Sequence, residues 1–203
     1  RKMGKKCAYT NDNDQKPRRT GQIKRLLRVS SYPNLVYTKY CDLECYFFSE
    51  NLIQDLICGA GAAKISNWAL LFQQIIRSVT ILSSFRIALA EGGFSFQMVD
   101  INKCLRVNED GFEIVLDFLV DKTCHKNLRS SDIVLLKNET RKWIRNVDGS
   151  DFRLVCRGHD FIDIISWVIK NFGGKKHIAD SLGAILFLMI PQVCSDMIEP
   201  ISL

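Results

Sequence analysis

Histidine, tryptophan and proline are scarce here, at three, three and four residues among 203. Imidazole chemistry therefore has only His125, His159 and His177 to draw on. The chain contains no Cys-x2-Cys pair and no HExxH, GxSxG, GxxxxGK[ST] or DxDxDG pattern, so enzyme and metal-loop readings have no anchor in a recognised motif. No apolar run approaches the roughly 18–20 residues that a membrane span needs. The nearest candidate, residues 182–190, is stopped by Pro191 and is too short to cross. The first thirty residues also lack the apolar core of about 7–15 residues that a secretory signal requires. That absence predicts an unsecreted protein in a reducing, cytoplasmic compartment.

What is present is the composition of a globular domain. Apolar residues make up 47% and charged residues 25%, and the mean hydropathy is -0.01, which excludes a wholly disordered chain, collagen or a coiled coil. A length of 203 residues suits one principal core. Charge is divided unevenly. The formal total is +6, yet residues 1–28 hold ten Lys and Arg against Asp12 and Asp14, a balance of +8, and the other 175 residues carry 18 bases and 20 acids. A basic arm on a slightly acidic body is an arrangement for contacting polyanions, because each Lys or Arg placed on a phosphate chain releases condensed counterions. Lys5, Lys6, Lys16, Arg18, Arg19, Lys24, Arg25 and Arg28 are the expected binding residues, with RNA or an anionic membrane surface as partner. The arm has few large apolar groups before Ile23, so it cannot fold alone and is expected to be flexible. Lys16-Pro17-Arg18-Arg19 with Lys24-Arg25 also suits a nuclear-import patch. Met3-Gly4-Lys5-Lys6-Cys7 has the form of an acylation signal if Met3 is a start, although Ala8 replaces the usual Ser or Thr.

Periodicity outlines the body. Alternating residues rich in aromatics over 37–48 predict a strand. Ser49 or Glu50 opens a short helix that stops at Cys58-Gly59-Ala60-Gly61. This glycine pair reads as a helix-to-helix connector and not as a phosphate loop, since Lys64 stands where a third glycine is needed. Ser66 is the expected N-cap of a helix over 67–84, with Trp68, Phe72, Ile75 and Val79 on its buried face. Residues 85–90 with Phe94, Phe96 and Met98 read as a hairpin, and residues 103–107 as a strand. After the turn Asn108-Glu109-Asp110-Gly111, residues 112–120 read as a strand with one buried face. Residues 130–146 are open between strand and helix, 152–156 read as a strand, and 160–172 as a helix ended by Gly173-Gly174. A last helix is expected over about 178–190. The expected class is α+β: an antiparallel sheet against a helix pair, additional C-terminal helices, and a flexible basic arm. Its boundaries are 1–33 for the arm and 34–203 for a single domain, mostly helical beyond about residue 130.

Eight cysteines are scattered over a chain that needs no staples, and they read as free thiols packed as small hydrophobes. Cys41 and Cys45 lie about 13 Å apart along a strand, too far for one zinc. Cys156 with His159 and Cys124 with His125 are the residual metal candidates, with nothing in the sequence to make them neighbours. No metal, cofactor or small-molecule substrate is expected. All five tyrosines, Tyr9, Tyr32, Tyr37, Tyr40 and Tyr46, fall in the first 46 residues, and tyrosine favours interfaces.

Tyr32-Pro33-Asn34-Leu35, between arm and body, matches the YPxL form of the late-domain peptides by which some viral matrix and Gag proteins recruit budding machinery, so Tyr32, Pro33 and Leu35 are the candidate partner peptide. The order of basic arm, peptide, strand, helix pair and antiparallel strands over about residues 1–121 resembles rhabdovirus-type matrix proteins. That resemblance implies a non-enzymatic, virion-associated protein that forms homo-oligomers and bridges ribonucleoprotein and membrane. The same charge partition also fits a basic-armed RNA-binding protein of capsid or silencing-suppressor type, or a host interaction module.

Overall fold

The computed structural model describes residues 40, 42–94, 98, 100–109, 111–124, 128–147 and 151–188. Among these the chain is mostly helical, with one small antiparallel sheet of two strands, which is α+β in its coarse class. A 3-10 turn at Leu43–Phe47 leads into α1, Glu50–Gly59. Ser49 caps α1, its hydroxyl accepting from the Leu52 N–H at 3.4 Å. The Gly59–Lys64 stretch connects two helices as the sequence predicts, and it is pinned to the far end of the body by Lys175 N–H donating to the Ala60 carbonyl at 2.8 Å. The second helix, α2, spans Trp68–Glu91. Asn67, one residue beyond the expected Ser66, is its cap, because the Asn67 side-chain Oδ1 accepts from Leu70 N–H at 3.0 Å.

At 24 residues α2 is about 36 Å long and is the axle of the fold. Its first half shows one buried face, whereas Ile81, Leu82, Ser83, Ser84, Phe85, Ile87, Ala88 and Leu89 are buried on all sides. A helix apolar all round belongs inside the core, and here β2, α4 and α5 surround it. The expected hairpin strand at 85–90 is therefore corrected to helix. Phe85, Ile87 and Leu89 do alternate with Arg86, Ala88 and Ala90, but alanine is the strongest helix former, so the run continues α2. Phe94 and Met98 are not in a strand, and Phe96 lies outside the described residues.

Strands β1, Leu105–Asn108, and β2, Gly111–Ile114, pair antiparallel with Leu105 opposite Ile114 and Asn108 opposite Gly111. Gly111 has a φ of +142°, and a Cβ there would collide with the Gln74 side chain. Gln74 instead accepts from Phe112 N–H at 3.2 Å, clamping the ribbon to α2. The long strand expected over 112–120 ends at Ile114, and α3, Leu116–Cys124, takes over. Leu119, Val120, Thr123 and Cys124 make its buried stripe, a helical spacing that coexists with the alternation over 112–120.

Residues Ser130–Val147 form α4, which lies along α2. Its Lys137 ammonium reaches Asp117 at 3.2 Å and Asp121 at 3.5 Å on α3. The expected strand at 152–156 is a 3-10 turn, Phe152–Leu154, with Asp151 accepting from the Arg153 N–H as its cap. Helix α5, Gly158–Asn171, matches expectation and buries Phe161, Ile164, Ile165, Val168 and Ile169. The single last helix is corrected to two pieces, α6 at Lys176–Asp180 and α7 at Leu182–Leu188, broken at Ser181. One apolar cluster joins residues from Tyr40 to Leu186. Among the described residues no helix is long and apolar enough to cross a membrane.

Candidate functional site

A connected polar cluster sits around Tyr40, the first of the described residues. The expected strand over 37–48 is corrected here: residues 37–39 and 41 lie outside the described residues, and Leu43–Phe47 coils into a 3-10 turn. Local alternation yields to long-range packing, because among the described residues this stretch has no neighbouring strand and docks instead on residues 151–161. The Tyr40 hydroxyl donates to Asp151 Oδ2 at 2.8 Å. Arg153 closes on the same carboxylate from the other side, Nε to Oδ1 at 2.8 Å and a terminal nitrogen to Oδ2 at 3.0 Å. Its guanidinium also lies 4.7 Å from the centre of the Tyr40 ring, a cation–π contact. Tyr46 packs edge-on at 4.7 Å and its hydroxyl accepts from Tyr40 N–H at 3.1 Å.

The electrostatics follow from this crowding. Burial and then the hydrogen bond to Asp151 push the Tyr40 phenol above its usual range. Burial alone would raise the Asp151 carboxyl, but the hydrogen bonds from Arg153 and Tyr40 outweigh it and hold the carboxyl below its usual range. Two further contacts extend the brace. Asp42 accepts from Gly158 N–H at 2.8 Å, placing a carboxylate on the first amide of α5, where the helix dipole favours it. Phe48 packs tilted against Phe161 at 4.1 Å and edge-on against Phe152 at 4.7 Å.

Between these contacts Cys45 and Cys156 meet, with their sulfurs 3.4 Å apart and both side chains buried. The hydrogen bond to Cys156 and burial push the Cys45 thiol well above its usual range. Cys156 is thus beside another thiol, and the His159 of its Cys-x2-His pair is exposed on the first turn of α5. Cys124 is buried at the end of α3, where burial and Asp121 push its thiol up to about 11. A thiol raised in this way is protonated at neutral pH and is a poor nucleophile. His125 lies outside the described residues, as do Lys5, Lys6, Lys16, Arg18, Arg19, Lys24, Arg25, Arg28, Tyr32, Pro33 and Leu35. Among the described residues no group of three or more His, Cys, Asp or Glu side chains could hold a metal ion.

A second buried contact was not foreseen from sequence. Arg86 of α2 grips Asp160 of α5 through two hydrogen bonds, 2.7 and 3.0 Å. Neither this pair nor the Tyr40–Asp151 brace carries a local signal, since the partners stand 74 and 111 positions apart. No family model, no curated protein and no solved structure matches the chain.

Proposed function

We propose that this chain is a non-enzymatic structural protein that binds RNA through its N-terminal basic segment and self-associates through its helical body. The observation that carries the reading is the charge partition, +8 in residues 1–28 against a net -2 in the remainder. The cluster around Tyr40 supports it by holding Tyr40, the first described residue beyond that segment, on the body. RNA stands ahead of a membrane because residues 1–22 contain no Leu, Ile, Val, Phe or Trp, and stable membrane anchoring needs an apolar signal beside the electrostatic one. Val134 and Leu135, adjacent on α4 and both more than half exposed, offer an apolar contact for self-association. Repeated weak contacts along an assembled array would then raise the effective affinity for a long polyanion.

The matrix-like reading, a bridge between ribonucleoprotein and an anionic membrane, is the second choice. It is favoured by Tyr32-Pro33-Asn34-Leu35, while the antiparallel strands of the resemblance shrink to one ribbon among the described residues. One titration separates the two. Affinity for single-stranded RNA and for anionic vesicles is measured against salt for the full chain and for a variant with Arg18, Arg19, Lys24, Arg25 and Arg28 changed to Gln. For RNA the log–log slope should flatten by about 3.5, at roughly 0.7 for each phosphate no longer neutralised. An unchanged RNA slope refutes the proposal, and tight vesicle binding without RNA binding moves the matrix reading to the front.

A further inference from the structure

We propose that Cys45 and Cys156 form an intramolecular disulfide site, closed by exchange with a small-molecule disulfide of the glutathione type. The sulfurs already touch at 3.4 Å, so a bond of about 2.05 Å needs them to close by only about 1.4 Å. Their approach is fixed on both sides. Tyr40 on Asp151 sets the register on one side of the pair, and Asp42 on the Gly158 amide with Phe48 on Phe152 and Phe161 sets it on the other. Two segments 111 positions apart are thus held with their thiols in contact without help from a covalent link.

The order of the steps follows from exposure. Cys156 keeps 4% of its surface and Cys45 none, so both are buried and exchange proceeds through local opening of the docked segments, with the more exposed Cys156 reacting first. Its thiolate attacks one sulfur of the disulfide RSSR, giving a mixed disulfide on Cys156 and releasing RS⁻, which takes up the proton Cys156 lost. Cys45, already in contact, then attacks the Cys156 sulfur as its proton passes to the departing sulfur, the S–S bond to the RS group breaks, and a second RSH leaves. Two protein thiols are oxidised and one RSSR is reduced to two RSH, with both protons carried away on the products.

The test uses the full chain. It is incubated with oxidised glutathione, its remaining thiols are alkylated, and an unreduced digest is read by mass spectrometry. The chain has eight cysteines, and in the expected product two thiols escape alkylation by joining the Cys45 and Cys156 peptides, apart from any that carry glutathione. Exposed Cys58 reports that the oxidant was active. Cys45→Ser should trap glutathione on Cys156, because no resolving thiol remains. Oxidation should raise the thermal midpoint of the natural sequence by roughly 5–10 °C, reversibly with dithiothreitol. Glutathione on Cys58 with Cys45 and Cys156 still alkylated, or a cross-link from either to another cysteine, overturns the proposal.

Discussion

Removing the Asp151 carboxylate should loosen the root of the N-terminal segment more than any single contact suggests. In Asp151→Ala the buried Tyr40 hydroxyl loses a charge-assisted hydrogen bond, a loss of about 1.5–3 kcal/mol. The 3-10 turn at Phe152–Leu154 loses its cap, for about 1 kcal/mol. Arg153 adds little, because its side chain is 32% exposed and an exposed ion pair contributes at most about 1 kcal/mol. The expected total is roughly 2–4 kcal/mol. Tyr40→Phe removes only the donor and should cost about 1–2 kcal/mol. The double variant should then fall short of additivity by about 1 kcal/mol or more, since both changes break one bond. Urea unfolding of the four proteins at neutral pH measures this. Hydrogen exchange at the amides of residues 43–48 distinguishes local release of the segment from global loss of stability. Additivity within about 0.3 kcal/mol would refute the brace.

Asp160→Ala should destabilise by about 2–3 kcal/mol, below the full value for a broken buried pair because Arg86 keeps 22% exposure against 3% for Asp160. Replacing both by Arg86→Met and Asp160→Leu should be milder than Asp160→Ala alone, and a double variant as poor as the sum of the singles would contradict that in urea titrations. Asp151 also sets a pH dependence. Its carboxyl lies lower in the folded protein than unfolded, so its stabilisation is complete above the unfolded value near pH 3.9 and is lost as pH falls through the folded value below it. The stability gap between the natural sequence and Asp151→Asn should therefore hold from about pH 7 to 5 and close in stronger acid, as followed by circular dichroism; a gap that widens on acidification would reverse the assignment.

Helices with one clear apolar stripe were legible in the sequence, as α1, the first half of α2, and α5 illustrate. The misreadings share a cause. Over 85–90 and 112–120 a period of two and a helical spacing are both satisfied by the same residues, and the choice is made by what surrounds them. Over 43–47 and 152–154 each segment is shaped by the other, so neither can be read alone. The Cys45–Cys156 contact belongs to the same category, a property of two distant segments that no spacing rule reaches.

The pairing of residues 40–48 with 151–161 also orders events during synthesis. The docking partner lies 111 positions downstream, which at about 5–20 residues per second takes roughly 6–20 s to be made. Throughout that interval the ten bases of residues 1–28 are already translated while the surface on which Tyr40 and residues 42–48 dock does not yet exist. On the proposed reading, the basic N-terminal segment would thus be available to a nearby RNA, including the message being read, before the body has closed.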